Sequence, residues 1–222
     1  MAKSQYEVIV GVLRKLLKAG VLDHVVLIGS WCMLFYKDFF RIDTYTPSIR
    51  TRDIDILIPI PHRVPVKVDL PSLLQDLGFV LEFKGRGGYM QFMHPDLMLE
   101  FLVPERGRDS DKPYLVPKLG VNAQPLRYLD LLLRNAIRLT FEGVPIHVPH
   151  PANFAIHKLI ISGRRTGAKA QQDQAQAIAV LVALKEIGKL ESARQVLDSI
   201  PVTWRRAAMK AARETGEAEL LS

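Results

Sequence analysis

Asp53-Ile54-Asp55-Ile56-Leu57-Ile58 is the stretch on which the reading of this chain turns. Acidic and apolar residues alternate and the run stops at Pro59 and Pro61, the pattern of a strand with proline punctuation. Residues two apart in a strand face the same side, so the two carboxylates project together while Ile54 and Ile56 enter the opposite face. Carboxylates so close repel each other unless a cation or hydrogen-bond donors stand between them. A divalent metal supplies that cation, and magnesium in particular is held by a few carboxylates together with phosphate oxygens. A solvated strand end bearing two acids is the competing reading.

Upstream, Val25-Val26-Leu27-Ile28 is a short apolar run closed by Gly29, and Ser30 to Phe40 is apolar at helical spacing. The unit reads as strand, tight glycine turn, helix. Glycine permits close backbone approach, and the amides at the start of a helix, with the Ser30 hydroxyl, can receive a phosphate. A helix cap with a permissive glycine is the alternative. Residues 5–19 before it read as an amphipathic helix stopped at Gly20.

Downstream, Leu70 to Leu77 predicts a helix closed by Gly78, and three apolar runs follow at 79–83, 89–93 and 97–103. Gly85-Arg86-Gly87-Gly88 reads as the hairpin turn between the first two. The three runs suggest an antiparallel meander beside the two earlier strands, hence a mixed sheet. Glu100 stands in a strand that is otherwise nearly all apolar. It either meets solvent on an edge or points to a shared site, where it would make three carboxylates, a ligand set for two-metal phosphoryl transfer. Residues 104–125 read as an irregular excursion, 126–133 as a short helix, and 137–141 with 144–148 as a hairpin around Glu142-Gly143. From Pro151 strand signals vanish and helices are expected at 151–162, 169–187, 190–199 and 202–215. The fold class is α+β: a mixed sheet with flanking helices over 1–149 and a helical part over 150–222.

The 222 residues are 48% hydrophobic, which excludes fibrous and fully disordered classes. Thirty Lys and Arg against 23 Asp and Glu give +7, with the surplus mostly beyond residue 120, which mildly favours a polyanionic partner. A lone cysteine, Cys32, excludes an intramolecular disulfide framework and makes a zinc site improbable. The first residues lack the uninterrupted apolar region of a signal peptide, and no apolar run approaches the roughly 20 residues of a membrane span. A cytoplasmic protein is expected.

Gly29-Ser30, Asp53-x-Asp55 and a later acid together resemble the nucleotidyltransferase superfamily of the DNA polymerase β type. The framing Leu27-Ile28-Gly29-Ser30-Trp31 and Thr51-Arg52-Asp53-Ile54-Asp55-Ile56-Leu57 is most similar to its uncharacterised bacterial branches and to the AbiEii-like abortive-infection toxins. The resemblance implies that Gly29 and Ser30 hold a nucleoside triphosphate and that Asp53 and Asp55 ligate Mg²⁺ or Mn²⁺. It implies that Glu100 joins them as third carboxylate and helps activate the attacking hydroxyl. In the helical part, Phe154-Ala155-Ile156-His157-Lys158-Leu159 with Arg164-Arg165, Lys169 and Asp173 is similar to the basic helices of AbiEii-like members, which places Lys158 toward the phosphates. Arg50 and Arg52 flank the acidic strand and either neutralise phosphates or offset the Asp pair.

Three departures stand out. The interval from Ser30 to Asp53 is long, the third acid is Glu where Asp is usual, and Ala170-Gln171-Gln172 separates Lys169 from Asp173. The implied activity is metal-dependent transfer of a nucleoside monophosphate from an NTP to a hydroxyl on RNA, a protein or a small molecule. A non-catalytic nucleotide- or RNA-binding module with the same fold, or a toxin masked by an antitoxin protein, are the alternatives.

Overall fold

The computed structural model describes residues 3–47, 51–85, 88–105, 107 and 112–222. The chain folds as two compact units: Met1–Phe35 with Ile49–Val148, and Tyr36–Ser48 with Pro149–Ser222. The first holds the sheet and the second is helical.

In the first unit, helix α1 (Lys3–Lys18) buries Ile9, Val12, Leu13 and Leu16, a single apolar stripe, and ends at Gly20 in the left-handed region (φ 69°). Strand β1 (Val26–Ile28) leads into a 3-10 turn (Gly29–Trp31) and the short helix α2 (Cys32–Phe35). The continuous helix expected over 30–40 is therefore broken: after Tyr36 a separate turn of helix, α3 (Lys37–Phe40), begins in the second unit. Apolar periodicity reports which residues are buried, and here it runs on through a junction where burial passes from one core to another.

Strand β2 (Asp53–Leu57), helix α4 (Leu70–Gln75), and strands β3 (Val80–Lys84), β4 (Tyr89–Met93) and β5 (Met98–Pro104) follow as expected to within a residue or two. The sheet runs β1-β2-β5-β4-β3. β1 is antiparallel to β2, β2 is parallel to β5, and β3, β4 and β5 form the antiparallel meander. Residues 114–126 depart from the irregular excursion expected over 104–125, of which residues 106 and 108–111 lie outside the described ones. The 114–126 stretch contains β6 (Tyr114–Val116) and β7 (Val121–Leu126), with β7 parallel to the far end of β5. Pro113, Pro117 and Pro125 and the polar Asn122 and Gln124 dilute the strand pattern there, and tertiary pairing overrides it. Helix α5 (Leu129–Leu133) and the hairpin of β8 (Ile137–Phe141) and β9 (Val144–Val148) complete the unit.

One face of the sheet is fully apolar. Leu27, Ile54, Ile56, Phe92, Leu99 and Phe101 are each at most 1% exposed, and Phe92 and Phe101 meet edge to face at 5.5 Å. The other face is divided along its length. At one end Val26, Ile28, Leu57 and Leu102 pack with Leu129 and Leu132 of α5. At the other end, where β2 begins, the acids stand.

The second unit is built on α6 (Pro151–Ser162), α7 (Gly167–Glu186), α8 (Glu191–Ser199) and α9 (Val202–Glu214). Helix α6 is buried almost all round, as a helix central to a bundle must be. His150 caps it, its Nδ1 accepting from the Ala152 amide at 3.2 Å, and Pro151 takes the first helical position. The segment 36–48 joins this unit through the Tyr36 hydroxyl, which donates to the Pro149 carbonyl at 2.8 Å, and the Thr44 hydroxyl, which donates to Glu186 at 2.7 Å. No helix among the described residues is long and apolar enough to cross a membrane.

Candidate active site on the acidic face of the sheet

Register decides which acids meet. β1 turns into Gly29 beside β2, with Ile28 paired to Asp55, and β2 lies parallel to β5 with Asp55 paired to Glu100 and Asp53 to Met98. Paired residues share a face, so Asp53, Asp55 and Glu100 all rise from the face that α5 covers only at its far end. The arrangement in which Glu100 lies on the far side of the sheet is excluded.

Gly29 has φ 78°, and a Cβ added there would stand 2.2 Å from Asp55 Oδ2. The Asp55 carboxylate thus lies against the glycine backbone, at a distance no side chain would allow. Asp53 is exposed, while Asp55 and Ser30 are half-buried. The Asp53 amide donates to Thr51 Oγ1 at 3.1 Å, and Gln5 donates to the Thr51 carbonyl at 2.9 Å, which fixes the entry to β2.

Glu100 is held from its other side. Gln91, its pair on β4 and 6% exposed, donates from Nε2 to Glu100 Oε1. Lys84 Nζ, largely exposed on β3, stands 4.0 Å from the same oxygen. The row Asp55, Glu100, Gln91, Glu82 therefore crosses four strands on one face. Among the described residues no three His, Cys, Asp or Glu side chains gather closely enough to hold a metal ion. The donor chemistry nonetheless suits a hard cation: two carboxylates from one strand, with remaining positions for water and phosphate oxygens. Glu100 would become a third ligand only by turning from Gln91.

The basic candidates have distinct places. Arg52 Nη2 donates to the His94 carbonyl at 2.9 Å and to that of Pro95, clipping the start of β2 to the β4–β5 turn. Arg50 lies outside the described residues, as do Arg86 and Gly87 of the β3–β4 turn. Lys158 belongs to the helical unit and is 5% exposed, so it is not a surface lysine. Its ammonium meets Asp173 Oδ1 at 2.6 Å, and Arg165 meets Asp173 Oδ2 at 2.7 Å. Asp173 thus has two cationic partners, neither of them the exposed Lys169. Beside them His157 is buried with Nε2 unpartnered, and burial, with Lys158 and Arg165 adding repulsion, lowers its pKa to about 3. Arg205 donates to the carbonyls of Leu197 and Asp198 at the end of α8, at 2.8 and 2.9 Å.

Sequence reasoning passed over Gln91. The signal that singled out Glu100, one polar residue within an apolar strand, is present in Tyr89-Met90-Gln91-Phe92-Met93 as well.

Among known proteins, a family described as Nucleotidyltransferase matches residues 7–200. No curated protein sequence matches the chain. Among solved structures, the chain is similar to an antigenic nucleotidyltransferase-like protein from Paracoccidioides brasiliensis, at 16% identity over 96% of this chain and 93% of that one, with a TM-score of 0.46. It is also similar to the antibiotic-resistance factor ANT(2'')-Ia, at 14% identity over 99% of this chain and 100% of that one, with a TM-score of 0.45. The family match takes in most of the sequence, and the chain belongs to this nucleotidyltransferase family.

Proposed function

We propose, with that membership as the premise, that the protein transfers a nucleoside monophosphate from an NTP to a hydroxyl acceptor. The observation that carries the reading is the register that sets Asp55 between Gly29 on one side and Glu100 on the other, all on one face. The Gly29-Ser30 turn offers backbone amides and a hydroxyl to the triphosphate. Asp53 and Asp55 would hold magnesium or manganese, which when bound supplies charge compensation for the triphosphate and for the departing pyrophosphate. Glu100 accepts the proton of the acceptor hydroxyl as its oxygen attacks the α-phosphorus. The bond from that phosphorus to the bridging oxygen breaks, and pyrophosphate leaves with the electron pair. Gln91, donating to Glu100, keeps the carboxylate oriented.

A second reading, a nucleotide- or RNA-binding module without turnover, is favoured by one feature: the Glu100 carboxylate is directed to Gln91 and Lys84. The AbiEii-like reading, with an antitoxin over the site, rests on the sequence framing of Asp53-x-Asp55 and on the Lys158 helix, and would show as growth arrest on expression. The deciding experiment supplies α-radiolabelled NTPs with Mg²⁺ or Mn²⁺ to a pool of tRNA, total RNA, cell protein and metabolites. Label transferred by the wild type and not by D53A/D55A supports the enzyme and reveals the acceptor class. NTP binding without product in either protein supports the binding module.

A further inference from the structure

Strand β3 closes the sheet, and among the described residues no strand lies on its outer edge. Such an edge offers a row of unpaired backbone groups, and sheet proteins commonly blunt it with charge, proline or brevity. Val80-Leu81-Glu82-Phe83-Lys84 does so incompletely. Val80 is 65% and Phe83 62% exposed, among the most exposed large apolar side chains of the described residues. The two charges are of opposite sign and two residues apart, so they share a face.

We infer that β3 is a self-recognition edge, pairing antiparallel with β3 of a second copy of this chain. A symmetric pair that continues the sheet must set one residue opposite itself. Centred on Glu82 or on Lys84, it opposes like charges. Centred on Phe83, it sets Glu82 across from the partner's Lys84, and Lys84 across from the partner's Glu82. The two Phe83 rings then meet on the other face. Opposite charges and aromatic pairs directly across a ladder are favourable, and like charges there are unfavourable. Edge charges that only guarded against association would repel their own copies, and these attract them. Main-chain hydrogen bonds supply the affinity and the charge pairs fix the register, as in recognition by strand addition.

Sedimentation of the full chain across a concentration series tests this. The wild type is expected to approach twice the chain mass as concentration rises. E82K sets lysines opposite lysines and K84E sets glutamates opposite glutamates, so each alone should raise the dissociation constant roughly tenfold or more. Mixing the two restores both opposite-charge pairs, and a mixed dimer should form. The double variant E82K/K84E should dimerise by itself like the wild type. Far-UV circular dichroism confirms that each variant is folded. A wild type that stays monomeric at the highest concentration overturns the inference. So do single variants that dimerise undiminished, or a mixture that stays monomeric.

Discussion

Asp55 and Asp173 are treated in opposite ways by the two units. Asp173, 2% exposed, is met by Lys158 at 2.6 Å and Arg165 at 2.7 Å, so its charge is compensated by its own unit. Asp55 shares a face with Asp53 and Glu100, and the side chains that address Glu100 are an amide and a lysine 4.0 Å away. A buried charge needs its partner at hand or the fold loses several kcal/mol. Acids that share one face at the partly exposed end of a sheet are the kind of donors a hard cation brought from outside would use, and the proposed function assigns them that role. Asp173 is thus compensated within its unit, whereas the proposed function gives the other set a chemical role, and variants should separate the two.

The largest separation is expected from D53A/D55A, with label transfer lowered about a thousandfold or more while the thermal midpoint is unchanged or raised. A lowered midpoint would mean that the Asp pair is structural. D173A should do the reverse. It leaves Lys158 buried without its carboxylate and is expected to cost about 3–5 kcal/mol in urea denaturation. A folded, stable D173A would erase the contrast.

G29A sharpens the comparison at the site itself. The added methyl falls on the Asp55 carboxylate at a backbone angle that disfavours side chains, so about 1–3 kcal/mol of stability should be lost together with activity. Loss of stability alone would show that the glycine serves only the turn. A separate contrast lies in pH dependence. His157 stays neutral in the folded protein down to about pH 3 and takes a proton near pH 6.5 when unfolded. The unfolded chain binds more protons between those values, so stability is complete above about pH 6.5 and declines as pH falls toward 3. H157L should flatten that slope in denaturation curves recorded across the window.

Elements with their own periodicity were readable from the sequence. Strands β2 and β4, helix α6 and the hairpin at Glu142-Gly143 lie where alternation, apolar spacing and turn residues put them. The short β6 and β7 were not, because their pairing with β5 and with each other, rather than their composition, makes them strands. At the site, Gly29, Asp53, Asp55 and Glu100 could be named, but no local pattern states that β2 runs parallel to β5 with Asp55 opposite Glu100. Gln91 carried a signal equal to that of Glu100 and lacked only a charge. Lys158 marks a limit of another kind: its sequence context suggested a phosphate contact, and no local pattern states that its ammonium meets a carboxylate fifteen residues away.

The parallel pairing of β2 with β5 also orders events in time. Parallel neighbours need a crossover, here the whole passage through α4, β3 and β4, and closing so long a loop slows the contact. During synthesis the Gly29 turn and the Asp53-Asp55 strand emerge well before Glu100 exists. The nascent chain therefore exposes an acidic pair without its third member, and the site becomes complete only when β5 slots in beside β2.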